Sequence, residues 1–402
     1  MRNRPRTRLA FAAVAVAAMA CVACAPAPVA RPSASPSEVA SETPHPSPSA
    51  DARTAAEAAV AAMSLRDRAE SVVMGHVPTT DAAALRDYMA STGIGGFILM
   101  GANIPGDPGQ LQALTDALTV DPANPPLIAI DQEGGDVSRL PWDGFPAPYD
   151  LQQADSAAVE AAFAGRGELV RQAGANVNFG IVADVTADPS SFIHRRVLGT
   201  TPDVAADHVA AAVRGEQGDV LSTLKHFPGH GAAGGDSHSS IPSTPMTLDQ
   251  WRAADARPFA AGIAAGAPIL MFGHLAYTAI DPAPASLSPE WHRIAREELG
   301  FDGVEITDDL GMLLDSGLPQ YADPVANAVA SLAAGNDMAL MVAHSTPDTA
   351  TAMVDGIVAA VESGALPAER LEDAAVHVTE LRQAVAGAGD GPLPCVTCEN
   401  DR

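Results

Sequence analysis

Eight short apolar runs that alternate with longer Ala-rich segments constrain the fold of this chain more than any other feature. The runs are continuous rather than alternating, which is typical of parallel strands covered by helices on both faces. We therefore predict eight parallel strands, at residues 71–77, 95–100, 127–131, 177–185, 220–226, 268–274, 303–308 and 338–342.

Segments of helical period lie between and after these strands. The predicted helices are residues 109–119, 157–173, 202–215, 248–265, 289–299, 324–334, 348–362 and 368–385. The simplest closure of eight strand–helix units is a (β/α)8 barrel of the α/β class. We predict this TIM-type barrel as a single domain over residues 53–386.

An open doubly wound sheet also alternates strands and helices. However, no G-x-G-x-x-G motif follows the first predicted strand, and polar residues follow several different strands, namely Asp131, Asp184, Lys225 with His226, His274 and Asp308. A barrel brings all of these side chains to one rim, where barrel enzymes carry their active sites. An open sheet would separate some of them, so we favour the barrel.

The N-terminal segment predicts export. Four arginines within the first eight residues precede an apolar run from Leu9 to Ala20 that is too short for a typical membrane-spanning helix. A small residue stands directly before Cys21 and before Cys24, as in a bacterial lipoprotein signal. We predict residues 1–24 as this signal and lipidation at Cys24 or Cys21, with anchoring at the outer face of the cell membrane. An ordinary secretory signal is the alternative, and it also predicts export.

Two further segments flank the predicted domain. Residues 25–52 are rich in Pro, Ser and Ala and nearly lack large apolar side chains, so we predict a disordered tether. Residues 387–402 form a C-terminal tail with Cys395 and Cys398 in a C-x-x-C pattern. No second pair completes a zinc site, and a local disulfide is the preferred interpretation.

The charge balance excludes some partners. The chain has 49 acidic and 23 basic residues, a formal net charge of -26, so its surface should repel nucleic acid and anionic lipid headgroups. We predict no nucleic-acid partner, membrane association through the lipid anchor only, and a monomer.

The most specific motif is KHFPGHGAAGGDSHSSIP at residues 225–242, which begins at a strand end and continues as a glycine-rich loop. Asp236 and His238 lie two residues apart, close enough for the carboxylate to contact and orient the imidazole. A metal site made of His226, His230, Asp236 and His238 is chemically possible. Its spacing matches no helical H-E-x-x-H arrangement, so we predict no metal.

Two other strand ends carry candidate site residues. In EITDDLGM, residues 305–312, adjacent carboxylates point to opposite sides of the strand, and Asp308 is the predicted cavity-facing one. Asp309 is then a candidate cap of the following helix. In LIAIDQEGGDVSRL, residues 127–140, a buried strand delivers Asp131 to the rim, and a Gly-Gly turn and Arg139 follow.

Together these motifs resemble family 3 of the glycoside hydrolases, in particular its single-domain β-N-acetylhexosaminidase subgroup. The resemblance rests on DQEGG at 131–135, KHFPGHG at 225–231, DSH at 236–238 with Pro242, and TDDL at 307–310. Weaker matches follow in the expected order at 176–185, 284–289, 298–304 and 334–341, so the resemblance covers about residues 58–385.

The resemblance implies a metal-free and cofactor-free enzyme that removes terminal β-linked N-acetylhexosamine from a carbohydrate, such as a peptidoglycan or chitin fragment, with retention of configuration. Asp308 matches the nucleophile, and His238, paired with Asp236, matches the acid/base. The residues implied to hold the sugar are Asp131, Arg139, Arg196, Lys225 and His226.

This sequence departs from the family pattern at two places. Asp136 stands where DQEGG is usually followed by Arg, and FIHRRVLG at 192–199 replaces a more glycine-rich segment, so Arg195 competes with Arg196 for the assignment. We expect a single catalytic domain without the second domain of many larger family members, which favours the hexosaminidase subgroup. The alternatives left open are a β-glucosidase, a glycoside phosphorylase and a non-catalytic sugar-binding lipoprotein.

Overall fold

The structure is a computed structural model that describes residues 50–389 and 391–395. The predicted signal segment, Cys21 and Cys24 and nearly all of the predicted tether lie outside the described residues. Cys395 is disulfide-bonded, but Cys398 also lies outside them, so their pairing stays a prediction. Among the described residues, no helix combines the length and the apolar character that crossing a membrane requires.

Eight parallel strands form the centre of the molecule, as predicted. They are β1 Val73–Gly75, β2 Gly96–Leu99, β3 Leu127–Ile130, β4 Val177–Val182, β5 Leu221–Phe227, β6 Ile269–Phe272, β7 Val304–Thr307 and β8 Ala339–Leu340. Neighbours in sequence are neighbours in space, and β8 also pairs with β1. A parallel bridge from Ile306 of β7 to Met338, just before β8, closes the circle, and the (β/α)8 barrel is confirmed.

Fourteen α-helices are found among the described residues. They are α1 Ala50–Ala61, α2 Leu65–Ser71, α3 Ala82–Thr92, α4 Pro108–Leu118, α5 Pro148–Leu151, α6 Ser156–Gln172, α7 Pro202–Glu216, α8 Leu248–Ala253, α9 Ala256–Ala264, α10 Pro289–Arg293, α11 Gly311–Asp315, α12 Pro324–Ala334, α13 Thr349–Ser363 and α14 Ala368–Ala388. Most are amphipathic covers of the barrel, as the sequence predicts.

The sequence reading of the helices was wrong in two respects. The segment 248–265 is two helices, because Ala254 leaves helical geometry at φ -126° and ψ -85°, and Pro258 is tolerated in the first turn of the second helix. The helices α1 to α3 and the short helices α5 and α11 were not among the predicted ones. Helix α3 has clear end signals, since the Asp81 carboxylate caps Ala83 and Ala84 and Gly93 ends the helix at φ 65°.

The barrel interior is packed with apolar side chains that every strand contributes, including Met74, Ile98, Ala129, Phe179, Leu221, Met271, Ile306 and Leu340. Residues of the other parity face the surrounding helices and form two larger clusters. This filled interior leaves the carboxyl ends of the strands as the place for a cavity.

Two local irregularities shape that end. After β3, Gln132–Gly134 pairs antiparallel with Val137–Ser138, and the turn between them uses Gly134 at φ 89° and Gly135 at φ 62°. In β5 the register to β6 shifts between Leu224 and Phe227. Such an irregularity re-aims side chains, and consecutive residues Lys225 and His226 both line the cavity.

Candidate active site

A cavity of about 330 Å³ opens at the carboxyl ends of the strands. Seven of the eight predicted site residues line it, namely Asp131, Arg139, Arg196, Lys225, His226, His238 and Asp308. The eighth, Asp236, is hydrogen-bonded to His238. The structure therefore brings together side chains from the ends of four different strands, β3, β4, β5 and β7, and the segments that follow them.

A set of ion pairs forms one side of the cavity, and we call its members Asp131, Glu133, Arg139, Arg196 and Lys225 the charged floor. Lys225 Nζ lies 3.0 Å from Asp131 Oδ1 and 2.7 Å from Glu133 Oε1. Arg139 Nη2 donates to Asp131 Oδ2 at 3.0 Å, because the hairpin after β3 turns the chain back on itself. Lys225 is the only lysine of the 402-residue chain.

Arg196, rather than Arg195, belongs to this floor. Its Nε and Nη2 contact the two carboxylate oxygens of Glu133 at 2.8 and 2.7 Å, a bidentate pair. Arg195 is exposed and pairs with Asp136, Nε to Oδ2 at 2.8 Å. The departure at Asp136 is thus matched by a neighbouring arginine at the surface instead of altering the charge next to Asp131.

The floor carboxylates are held ionised. Burial alone would raise the pKa of Glu133, but the Lys225 and Arg196 charges outweigh it and lower that pKa to about 2. Burial likewise opposes the charged form of Asp131, yet Lys225 and Arg139 keep its pKa below the usual range. Burial would lower the pKa of Lys225, and the two carboxylates raise it instead. All three groups are therefore charged near neutral pH and can bond sugar hydroxyls strongly.

His226 is oriented by a buried partner. Its Nδ1 lies 2.7 Å from Asp184 Oδ2, and Asp184 Oδ1 also accepts the backbone N–H of His230 at 2.5 Å. With Nδ1 as donor to the carboxylate, Nε2 of His226 carries its lone pair toward Arg196 Nη2, 3.4 Å away. Asp184 was recognised in sequence as a strand-end residue, but its orienting role was not.

Asp308 follows β7 and faces the cavity, as predicted. Its Oδ1 accepts the backbone N–H of Asp309 at 2.8 Å. Burial would raise the pKa of this carboxyl, but His226, His274 and that hydrogen bond outweigh it, so the pKa lies below the usual range. An ionised carboxylate that lines a cavity can act as a nucleophile.

Asp309 has the structural role that the sequence indicated. Its Oδ1 accepts from the N–H of Gly311, the first residue of α11, at 2.9 Å. It also ties β7 to the segment after β8, because the N–H groups of Val342 and Ala343 donate to its two oxygens at 2.7 and 2.8 Å. Burial raises the pKa of Asp309 to about 6.

The predicted contact between Asp236 and His238 is present. His238 Nδ1 lies 2.6 Å from Asp236 Oδ1, and the His238 backbone N–H donates to the same oxygen at 3.0 Å. Burial opposes the charged form of Asp236, but the bonds from His238 keep its pKa below the usual range. With Nδ1 held, Nε2 of His238 is the nitrogen left for chemistry. The two side chains are 64% and 48% exposed, His238 first.

The loop that carries this pair needs its glycines. Gly229 has φ 130°, which few other residues adopt. A Cβ at Gly231 would come 1.9 Å from the backbone oxygen of Val185, so the loop passes directly against the segment after β4. The Phe192 ring meets the ring of His230 edge-on at 4.7 Å and that of His238 at 6.4 Å.

Two of the histidines considered for a metal are each bonded to a carboxylate. His226 bonds Asp184 and His238 bonds Asp236. Within the described part of the chain, the side chains close enough to share an ion are Asp337, Asp373 and His377. That cluster precedes β8 at the opposite end of the barrel, and its centre is an ion-pair network in which Arg296 and Arg370 contact Asp337.

Sequence reasoning missed several cavity residues, among them Glu133, Phe192 and Asp315. Glu133 had a usable signal, because it lies two residues after Asp131 in a strand and so on the same face. Phe192 and Asp315 reach the cavity through loop and helix geometry that no pattern in the sequence reports.

The sequence of this chain is similar to those of known proteins. A model for the glycosyl hydrolase family 3 N-terminal domain matches residues 64–381. A β-hexosaminidase of Stenotrophomonas maltophilia is 36% identical over 300 residues, which cover 71% of this chain and 87% of that relative.

Two solved structures also superpose on this chain. A family 3 β-N-acetylglucosaminidase from a Paenibacillus species superposes with a TM-score of 0.75 at 32% identity, covering 81% of this chain and 63% of that one, less than two thirds of its length. A β-N-acetylhexosaminidase from Beutenbergia cavernae gives a TM-score of 0.68 at 31% identity, covering 79% of this chain and 97% of that one.

Proposed function

Because the chain belongs to glycosyl hydrolase family 3, we propose that it is a retaining exo-β-N-acetylhexosaminidase that removes terminal β-linked N-acetylglucosamine from peptidoglycan or chitin fragments. The chain is a glycoside hydrolase by family, and relatives named β-hexosaminidase support the activity. One observation carries the mechanism: Asp308, His238 and the charged floor line the same cavity.

In the first step, an oxygen of Asp308 attacks the anomeric carbon while the glycosidic bond breaks. His238 Nε2 gives its proton to the leaving oxygen, and Asp236 stabilises the imidazolium form through Nδ1. The low pKa of Asp308 supports this assignment, since a nucleophile must be ionised.

In the second step, water attacks the anomeric carbon of the glycosyl-enzyme ester. His238 Nε2 takes the water proton, and the bond to the Asp308 oxygen breaks, so both residues return to their starting states. The exposure of His238 favours a loop that closes over the bound sugar before each proton transfer.

The charged floor binds the terminal sugar. Carboxylates of Asp131 and Glu133 accept from hydroxyls, while Lys225, Arg139 and Arg196 donate to hydroxyl or acetamido oxygens. The cavity volume of about 330 Å³ is near the lower end of the usual ligand-pocket range of about 300–1,000 Å³. A small cavity closed by charged groups favours a single terminal sugar and exo action.

The place of action belongs to the same proposal. A lipoprotein signal in residues 1–24, with Cys24 or Cys21 lipidated, would hold a monomeric enzyme at the outer face of the membrane. There it would meet cell-wall or environmental glycan fragments. Metabolic labelling with a fatty-acid probe tests the anchor, and loss of the label only when both cysteines are replaced by serine would leave the site open between them.

The activity is tested with 4-nitrophenyl glycosides and the Asp308→Ala variant. We expect hydrolysis of the β-N-acetylglucosaminide and a loss of at least about 10³-fold in turnover for the variant, with N-acetylglucosamine still bound. The control is Glu160→Ala, which removes an exposed carboxylate that pairs with Arg214 on the outer helices. Full activity of Asp308→Ala would place the nucleophile elsewhere.

The same assay separates the alternatives. Hydrolysis of the glucoside but not the N-acetylglucosaminide would indicate a β-glucosidase, and turnover that depends on phosphate would indicate a phosphorylase. Sugar binding without turnover of any glycoside would indicate a non-catalytic binding protein.

A further inference from the structure

A second aspartate–histidine pair lies at the mouth of the cavity. Asp315 is the last residue of α11 and lines the cavity, and His344 follows β8. His344 Nε2 is 2.6 Å from Asp315 Oδ1. The side chains are 39% exposed for Asp315 and 52% exposed for His344, so the pair is accessible to a ligand that extends out of the cavity.

The backbone holds this pair in place. His344 has φ 61°, and it is the one non-glycine residue with positive φ among residues 50–389 and 391–395. This conformation is unfavourable for histidine and persists where the surroundings impose it. Here Asp309 fixes the N–H groups of Val342 and Ala343 just before His344. The position of the imidazole is therefore tied to the carboxylate next to Asp308.

The pair has unused bonding capacity. In the described part of the chain, neither Oδ2 of Asp315 nor Nδ1 of His344 takes part in a hydrogen bond, because their contact uses Oδ1 and Nε2. A half-exposed carboxylate oxygen and an imidazole nitrogen side by side can bond the hydroxyls of a polyhydroxy ligand.

The leaving group has to pass out of the same cavity. The charged floor lies after β3, β4 and β5, whereas Asp308 follows β7. With the hydroxyls of the terminal sugar on the floor, its leaving group departs on the side of the anomeric carbon opposite Asp308, where His238 protonates it, and continues outward to solvent. Asp315 lines this cavity at a partly exposed position and is paired with His344, so the rest of a glycan that extends outward can reach the pair.

We propose that Asp315 and His344 form the binding site for the leaving-group sugar, with Asp315 accepting from one of its hydroxyls and His344 orienting the carboxylate. This inference rests on the proposed function and adds a specificity determinant to it. The pair would distinguish a glycan, whose leaving group carries hydroxyls, from an aryl glycoside, whose leaving group carries none.

The experiment compares N,N′-diacetylchitobiose with 4-nitrophenyl N-acetyl-β-glucosaminide on the full-length enzyme. The readout is the ratio of kcat/KM for the disaccharide to kcat/KM for the aryl glycoside. We expect Asp315→Ala to lower this ratio about tenfold, the usual loss for one hydrogen bond to a charged group. The fall should be confined to kcat/KM for the disaccharide, because the aryl leaving group carries no hydroxyl that Asp315 could bind.

Two further variants make the result interpretable. His344→Asn keeps a residue that tolerates positive φ but shortens the side chain, and we expect a fall of a few-fold in the ratio. Glu160→Ala removes an ion-pair carboxylate of similar exposure on α6 that does not line the cavity, and the ratio should not change. Activity on the aryl glycoside reports in each sample that the variant is folded.

The outcomes separate the two proposals. An unchanged ratio for Asp315→Ala, or an equal loss on both substrates, would overturn the leaving-group site while the hexosaminidase activity stands. A wild-type enzyme that hydrolyses neither N-acetylglucosaminide would instead remove the proposed function. A selective loss on the disaccharide supports the site.

Discussion

The charged floor and the loop with Asp236 and His238 face the same cavity but are built in opposite ways. In the floor, Glu133 is fully buried and Lys225 is 3% exposed, and Asp131, Glu133 and Lys225 each have two partners of opposite sign. In the loop, His238 is 64% exposed and has a single ionic partner. The floor side chains are thus restrained by several partners before a ligand arrives, whereas the exposed His238 side chain is restrained by fewer contacts.

This difference matches the demands of the two tasks. Binding a terminal sugar requires groups in fixed positions, since every adjustment would cost affinity. A loop that carries an acid/base for two half-reactions must let the substrate in, place the acid/base for proton transfer and then let water in. The comparison predicts that floor substitutions affect stability and binding, while loop substitutions affect the chemical step alone.

The largest effect is expected for His238→Ala. Turnover of glycosides with poor leaving groups should fall about 10²–10⁴-fold, because their leaving oxygen needs a proton, and activated aryl glycosides should lose much less. Stability should change by no more than about 0.5 kcal/mol, since the side chain is exposed. The measurement is kcat/KM across leaving groups of increasing pKa.

The control for this prediction is Ser239→Ala at the next loop position, where the side chain is also exposed. It should leave turnover and the melting temperature unchanged. Equal losses of His238→Ala on good and poor leaving groups would count against the proton-donor role.

The next effect concerns the single lysine. Lys225→Met leaves Asp131 and Glu133 without the cation that lies between them, and we expect a loss of about 3–5 kcal/mol in the free energy of unfolding. Lys225→Arg keeps the charge but not the compact ammonium, so it should lose less stability and still bind sugar poorly. Denaturant unfolding of both variants measures this, and wild-type stability of Lys225→Met would contradict the floor as described.

Acid should weaken the floor through Glu133. In the unfolded chain this carboxyl takes up a proton at about pH 4.3, whereas in the folded protein its pKa is lowered to about 2. Between these values the unfolded state binds more protons, so stability that is present above about pH 4.3 falls as the pH falls toward 2, by about 3 kcal/mol in total. Unfolding curves from pH 7 to 2.5 should show this dependence reduced in Glu133→Gln; an identical dependence would refute the assignment.

The fold was predictable because its signal is local and repeated. Each strand is a continuous apolar run, seven of the eight runs contain a whole strand of the barrel, and β5 extends one residue beyond the eighth, at 220–226. The boundaries of the elements were less predictable. The run predicted as a strand at 71–77 begins at Ser71, the last residue of α2. An apolar run by itself does not distinguish a helix from a strand. The split at Ala254 depends on one residue's backbone angles, which an Ala-rich segment does not signal.

The site residues were predictable where a polar side chain lies at the carboxyl end of a strand. Asp131, Lys225 and Asp308 could be found in this way, since barrel topology brings strand ends together. Contacts between residues on different structural elements could not be predicted in this way. The contact of Asp184 with His226 and that of Asp315 with His344 span 42 and 29 residues, and nothing in the intervening sequence encodes their distance.

The smallest effect should come from charges near the cavity that lack burial. Asp136 and Arg195 form a bonded pair at 46% and 59% exposure, and the Arg195 guanidinium lies over the Tyr149 ring at 4.9 Å. Exposed pairs of this kind are screened by water and contribute little. We expect Asp136→Ala, Arg195→Ala and the double variant to change kcat/KM by less than about twofold. Their melting temperatures should equal that of the wild type. A tenfold loss of kcat/KM in any of these variants would mean that a solvent-exposed charge pair positions the sugar as strongly as Lys225 does. Burial would then not be what distinguishes the charged floor from the exposed charges near it.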